Sequence, residues 1–277
     1  MNRYDQTFDR LKKNKEMAFI AFASAGDPDI STSEAILKTY INSGADILEI
    51  GYPFSDPVAD GPINQRAAQR AIAAGLNHEG FFKIVRNIRD YSQIPIGVLM
   101  YANSAFHLGY DAFCKRAADA GIDSILIADM PPEESGEMLD AMEKYDMQSV
   151  FIVSELTPLK RIRMICSKTT GFVYVVSRLG STGIQADMDA GVKGTLSRLR
   201  AVTAKPLCVG FGISTPEHVV KVKKAGADGA IVGSALVDII EKNLPDKKTM
   251  LKKIAGSVRA FKKATLSSDN NTVLLKN

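Results

Sequence analysis

The chain has 277 residues, 45% of them hydrophobic and 24% charged, with a formal net charge of +4. That length and apolar content suit one α/β barrel, a fold that typically needs about 250 residues. The mild charge, with no Lys/Arg block in one segment, argues against a nucleic-acid surface, and no apolar run approaches the ~20 residues of a membrane span.

Residues 1–15 are polar and charged and lack the apolar core of a signal peptide. A cytoplasmic location is therefore expected. Residues 5–15 read as an extra helix ahead of the first strand. Eight short apolar runs then follow, at 18–23, 47–50, 96–100, 124–128, 149–153, 172–176, 207–209 and 229–232. They are too short for helices and do not alternate strictly, as expected of parallel strands buried on both faces. Segments of helical length and period separate them, for example 31–42 and 217–224. Pro216 stands ahead of the latter and Gly226 behind it, the usual start and stop signals.

A weak repeat supports this alternation. Gly44-Ala45-Asp46, Gly121-Ile122-Asp123 and Gly226-Ala227-Asp228 each close a helix and open a strand. Glycine tolerates the left-handed conformation that ends a helix. Eight strands alternating with helices predict a closed (β/α)₈ barrel, a TIM barrel, as one domain over residues 1–266. An open doubly wound sheet is the alternative that the same alternation permits. Residues 267–277 form a polar tail, expected to be partly disordered.

In a parallel barrel, chemistry sits at the C-terminal ends of the strands. The second run reads Asp46-Ile47-Leu48-Glu49-Ile50-Gly51. A carboxylate between isoleucine and leucine is costly to bury without a partner or a task. Burial also raises its pKa, which suits proton transfer near neutral pH. A structural glutamate paired with a buried base is the other reading of Glu49. The next loop, Gly51-Tyr52-Pro53-Phe54-Ser55-Asp56-Pro57-Val58-Ala59-Asp60-Gly61-Pro62, is long and conformationally restricted. It can hold Asp60 over a site, or Asp60 can be a turn residue beside Gly61.

Gly210-Phe211-Gly212-Ile213-Ser214 follows the seventh run, and Val232-Gly233-Ser234-Ala235 follows the eighth and opens a short helix. Barrel phosphate sites are often built there, from glycine N–H groups and a helix N-terminus. After the sixth run, Ser177-Arg178-Leu179-Gly180-Ser181-Thr182-Gly183 reads as a lid that adds Gly183 to that site, or as a plain surface loop. His78, His107 and His218 have no acidic or thiol partner at a recognisable spacing and read as surface or structural residues. Glu133 and Glu134 are placed at a helix start, and Met138, Met142 and Met147 in the core. Cys114, Cys166 and Cys208 have neither metal nor redox spacing, and no residue cluster has metal-ligand spacing.

The stretch Leu48-Glu49-Ile50-Gly51 through Asp60-Gly61-Pro62 closely resembles the signature of the tryptophan synthase alpha chain family. So do Met100-Tyr101-Ala102-Asn103, Ala128-Asp129-Met130-Pro131, the segment from Ser177 to Gly183, and Gly210-Phe211-Gly212-Ile213-Ser214. The resemblance runs from about Phe8 to the helix near Phe261. It implies a carbon–carbon lyase that cleaves indole-3-glycerol phosphate to indole and glyceraldehyde 3-phosphate by a retro-aldol step. On that resemblance, Glu49 is the acid and base at indole C3 and the glycerol hydroxyl, and Asp60 serves the indole nitrogen. Phe22 and Leu99 would line the indole pocket, with Tyr174 beside them. Gly183, Gly212, Gly233 and Ser234 would bind phosphate, and Thr182 would bond Asp60 on lid closure. It further implies no cofactor in this chain, and a beta-chain partner carrying pyridoxal phosphate in an alpha2-beta2 complex. The loops around 53–60 and 179–183 would face that partner. Tyr52, Asn64 and Glu155 depart from the family's usual residues. A different phosphate-binding barrel enzyme, or a barrel serving only as an allosteric partner, are the rival readings.

Overall fold

The structure is a computed structural model that describes residues 1–176 and 185–266, with side chains described outside 177–190. Among these described residues nine strands form one parallel sheet: β1 (Ala18–Ser24), β2 (Ile47–Gly51), β3 (Ile96–Met100), β4 (Ser124–Ile127), β5 (Gln148–Ser149), β6 (Phe151–Val153), β7 (Val173–Val176), β8 (Leu207–Gly210) and β9 (Gly229–Val232). Their order is consecutive, with β1 paired to β9. A doubly wound sheet would reverse its order at a switch point, so the open alternative is excluded.

All eight predicted runs became strands, but the fifth is divided at Val150. Its first half pairs with β4 and its second half with β7. The Val150 N–H still donates to the Ile125 carbonyl at 3.1 Å, so β5 and β6 are two parts of one stave that closes the barrel.

The strands are buried on both faces. On β1, Ala18 and Ile20 point into the barrel, where they meet Ile47, Leu126, Tyr174 and Ile231. Phe19 and Ala21 point outward into the layer under the helices, with Phe82, Val85 and Phe261. Helix Arg3–Lys13 plugs the N-terminal end: Tyr4 and Leu11 join the inner cluster, and the Tyr4 hydroxyl bonds Ser124 Oγ at 2.8 Å. This helix starts two positions before the expected residue because Asn2 caps it, its side chain accepting from the Asp5 N–H.

The Gly-x-Asp repeat acquires a physical explanation. Gly44, Gly121 and Gly226 have φ of 104°, 88° and 97°, the left-handed conformation that ends each helix. The aspartates then each accept from the first N–H groups of a neighbouring strand: Asp46 from Phe19, Asp123 from Ile96 and Asp228 from Leu207. Each also meets a base, Lys262 and Arg10 at Asp46, Arg89 and Arg3 at Asp123, Arg200 at Asp228. These carboxylates fasten the bottom of the barrel and leave the opposite end for chemistry. Glu133 and Glu134 lie in the turn before helix Gly136–Lys144 and not at its start, and Glu133 pairs with Arg161. Met138, Met142 and Met147 are core residues as expected. Among the described residues no helix is long and apolar enough to cross a membrane.

Candidate active site

At the C-terminal mouth of the barrel lies a cavity of about 240 Å³. Glu49, Asp60, Phe22, Leu99, Tyr174, Gly212, Gly233 and Ser234 all line it, so the structure brings together every predicted site residue that it describes. Thr182 and Gly183, with the rest of the expected lid, lie outside the described residues, as does the tail at 267–277.

Glu49 is on β2, in register with Phe22 of β1 and Gly97 of β3. Strand alternation turns it inward, away from the outward-facing Leu48 and Ile50. It is 5% exposed. Burial, reinforced by the nearby Asp60 charge, pushes its pKa from 4.5 to about 8. No cation contributes to that balance, so the buried base required by a structural reading of Glu49 is missing among the described residues. At neutral pH Glu49 therefore holds a proton it can donate.

Asp60 comes from the loop after β2, which is fixed by its own bonds. The Asp60 N–H donates to the Pro57 carbonyl at 3.0 Å, and Gln65 Nε2 donates to the Asp60 carbonyl at 2.9 Å. Its carboxylate receives Tyr101 Oη on Oδ2 at 2.9 Å and Asn64 Nδ2 on Oδ1 at 3.4 Å. Burial raises the Asp60 pKa, while these two donors pull it back down. The same Tyr101 hydroxyl accepts the Ala59 N–H at 3.0 Å. Tyr101 was not among the predicted site residues, although it falls in a stretch that carried the family resemblance. Gly61, Pro62, Ile63, Asn64, Phe211, Ile213 and Ile231 complete the cavity wall.

Much of the cavity wall around the two carboxylates is apolar. Phe22 and Leu99 belong to a small cluster with Ala67 and Val237, and Tyr174 closes the inner side. Two strand-end glycines make room for these rings. A Cβ at Gly51 would lie 2.7 Å from Phe22 Cζ, and one at Gly210 would lie 2.7 Å from Tyr174 Cε1 and collide with its hydroxyl. Gly210→Ala is therefore expected to displace Tyr174 and to destabilise the chain by about 1–3 kcal/mol, read as a lower midpoint in thermal unfolding.

The far end of the cavity is a backbone cradle. Gly233 is the N-cap of helix Ser234–Glu241, and no side chain caps that helix. Its first N–H groups are thus available to an anion, and the helix dipole favours one. Phe211 and Gly212 both have positive φ, 63° and 73°, which turns the chain sharply at the β8 exit. His218 Nδ1 lies 3.0 Å from the Gly212 carbonyl, so this histidine braces the turn. No Lys or Arg lines the cavity among the described residues. Anion binding here rests on backbone dipoles and the Ser234 hydroxyl.

The departures fall in different places. Tyr52 packs on Phe81 with ring centroids 4.5 Å apart, and its hydroxyl bonds His78 Nδ1, which gives His78 a structural place beside the loop. Glu155 is exposed and lies outside the cavity wall. Asn64 alone of the three is in the site. Among the described residues no group of three or more His, Cys, Asp or Glu is placed to hold a metal ion.

Fold and site together define a (β/α)₈-barrel enzyme whose cavity combines two carboxylates, apolar side chains and a backbone anion cradle. The family model described as tryptophan synthase alpha chain matches residues 8–266, and the chain belongs to that family. It is 47% identical over 264 residues to the tryptophan synthase alpha chain of Methanoregula boonei, covering 95% of this chain and 98% of that one. The corresponding protein of Methanothermobacter thermautotrophicus is 45% identical over 246 residues, 88% of this chain and 91% of that one. Among solved structures, the alpha subunit of Legionella pneumophila superposes with a TM-score of 0.87 at 33% identity, covering 96% of this chain and 98% of that chain. A chain from the tryptophan synthase a2b2 complex of Pyrococcus furiosus gives a TM-score of 0.82 at 33% identity, with 89% and 98% covered.

Proposed function

We propose that this chain is the alpha subunit of a tryptophan synthase and cleaves indole-3-glycerol phosphate by a retro-aldol step, with Glu49 and Asp60 as its two working carboxylates. The observation that carries the reading is their shared cavity, lined by a protonated, buried Glu49, a hydrogen-bonded Asp60 and apolar side chains. Residues 1–266 form the catalytic barrel in this proposal.

The indole ring occupies the slot against Phe22, Leu99 and Tyr174. The phosphate binds at Gly212, Gly233 and Ser234, joined by Gly183 when the lid closes, and Thr182 then bonds Asp60. Glu49 gives its proton to indole C3, which leaves the ring a cationic indolenine. The Asp60 carboxylate, held on both oxygens, faces the ring nitrogen and stabilises that cation. Glu49, now ionised, takes the proton of the hydroxyl on the carbon attached to C3. That carbon becomes the aldehyde as the carbon–carbon bond breaks and its electron pair returns to the ring. Indole and glyceraldehyde 3-phosphate leave, and Glu49 again carries its proton. The chain's residues supply the whole step, so no cofactor is assigned to this subunit.

A beta chain carrying pyridoxal phosphate is the proposed recipient of the indole, in an alpha2-beta2 assembly. Exposed apolar side chains at the barrel mouth support a docking surface there. Val58 is 80% exposed, Phe106 68% and Leu156 78%, in the segments that follow β2, β3 and β6, Phe106 at the end of helix Ala102–Phe106. The cytoplasm is the proposed location. The test is indole release from indole-3-glycerol phosphate, with and without a beta chain. Turnover that rises on adding the beta chain is expected, and no turnover in either setting would overturn the assignment.

A further inference from the structure

Two helices carry separate parts of the cavity wall. Helix Pro62–Ala73 starts directly after Asp60 and Gly61, and helix Ser234–Glu241 starts at the Gly233 cradle. Whatever fixes these helices relative to each other fixes the spacing between Asp60 and the cradle. Their shared apolar contact has only Phe22, Ala67 and Val237 as its buried members. Apolar packing has no direction and tolerates small sliding of helices.

Charged groups supply the direction. Arg70 grips Asp27 with both arms of its guanidinium, Nε to Oδ1 at 2.7 Å and Nη2 to Oδ2 at 3.0 Å. Its Nη1 lies 3.7 Å from Glu241 Oε2. One turn earlier, Arg66 holds the same Glu241 by a second fork, at 2.7 and 3.2 Å. The Asp27 side chain is fully shielded from solvent, and the Asp27 N–H donates to the Ser24 carbonyl at the end of β1. A buried ion pair contributes little net stability, because desolvation offsets its attraction, whereas a planar fork fixes geometry. Arg70 lies roughly 12 Å along its helix from Pro62, and Glu241 roughly 10 Å along its own from Ser234. The clamp is thus remote from the cavity, which neither arginine lines, yet it ties both helices to β1.

We propose that Arg70 is a positioning residue that, with Asp27 and Glu241, sets the distance between Asp60 and the Gly233 cradle, and so the length of indole phosphate the site accepts. This rests on the proposed function above, in which Asp60 serves the ring nitrogen and the cradle serves the phosphate. Arg70 acts through the two helices. A shift of either helix misplaces one recognition group against the other, and a misplacement of about 1 Å can cost on the order of 10²-fold in rate.

The test compares wild type with Arg70→Lys, which keeps a cation beside Asp27 but loses the fork. Calorimetry measures the binding of three non-reacting probes. These are 3-(indol-3-yl)propyl phosphate, its homologue 4-(indol-3-yl)butyl phosphate with one more methylene, and inorganic phosphate, which needs the cradle alone. Wild type is expected to favour the propyl over the butyl probe by about tenfold. Arg70→Lys is expected to reduce that preference to about twofold, with the binding of inorganic phosphate unchanged. In the same preparations kcat for indole-3-glycerol phosphate falls about tenfold, more than KM changes. Glu241→Gln, at a partly exposed position, should move the propyl-to-butyl ratio in the same direction, and it carries the test if Arg70→Lys does not fold. A wild type without the preference, or folded variants that keep the wild-type ratio, overturns the role given to Arg70. A loss shared equally by all three probes does the same, since it marks general damage. Wild-type turnover measured alongside separates the two proposals: its absence sinks the proposed function, whereas normal turnover with an unmoved ratio sinks only this inference.

Discussion

Glu49→Gln is expected to lower kcat for indole release by about 10³-fold, within the 10²–10⁴ range of a positioned acid–base group. Gln keeps the size and the hydrogen-bonding ends of the side chain but has no proton to give to C3 and no carboxylate to take one back. Both halves of the proposed cycle stop with one substitution, so loss in kcat should exceed any change in KM. Steady-state kinetics with indole-3-glycerol phosphate check this, and a variant with undiminished kcat would remove Glu49 from the mechanism.

The same variant should be more stable than the wild type in alkaline solution. The folded Glu49 keeps its proton up to about pH 8, whereas the unfolded side chain releases it near 4.5. The native state therefore binds more protons across that window, and stability falls as pH rises through it. Its contribution is whole below about 4.5 and lost above about 8. Gln carries no such dependence. The advantage of Glu49→Gln should be small at pH 4.5 and of the order of 3 kcal/mol above pH 8, at about 1.4 kcal/mol per unit with allowance for relaxation. Denaturant unfolding at the two pH values separates this from a general packing effect. In catalysis the same proton gives the wild type an alkaline limb, with kcat/KM falling as pH rises through about 8.

Much of this fold and site is legible in the sequence. Strand positions follow from short β-branched runs, and each run became a strand because burial on both faces needs little beyond apolar character and length. The break at Val150 was not readable, since it comes from a change of pairing partner, from β4 to β7. Glu49 stood out because a carboxylate between isoleucine and leucine has few inexpensive explanations. Asp60 did not, and by pattern alone it competed with an ordinary Asp-Gly turn. The resemblance of its loop to a known signature separated them. Tyr101 was missed as a site residue because its link to Asp60 spans 41 positions and no local pattern joins the two. The tyrosine partner of His78 is hidden for the same reason, being 26 positions back. Asn64 was visible as an unusual residue, but the unpaired state of its oxygen is a property of packing.

Asp60→Asn should cost about 10²–10³ in kcat, the range expected when one preorganised stabilising group is removed from a developing charge. Protonation at C3 places a positive charge on the ring, and Asp60 is the carboxylate proposed to answer it at the ring nitrogen while Glu49 works at C3 and the hydroxyl. Asn retains an oxygen to accept the Tyr101 bond, now at 2.9 Å, so the loop should keep its fold. It also removes a carboxylate whose pKa is raised by burial, so the thermal midpoint should not fall. The decisive reading is the pH profile. Wild-type kcat/KM should fall on the acid side as Asp60 gains a proton, at a pH above the ordinary aspartate value because burial raises it. Asp60→Asn should flatten that acid limb. It should also move the alkaline limb to lower pH, because the Asp60 charge is one of the two influences that hold the Glu49 pKa up. An acid limb that survives the substitution would assign it to another group, and Asp60 would then be a loop residue with no part in the chemistry.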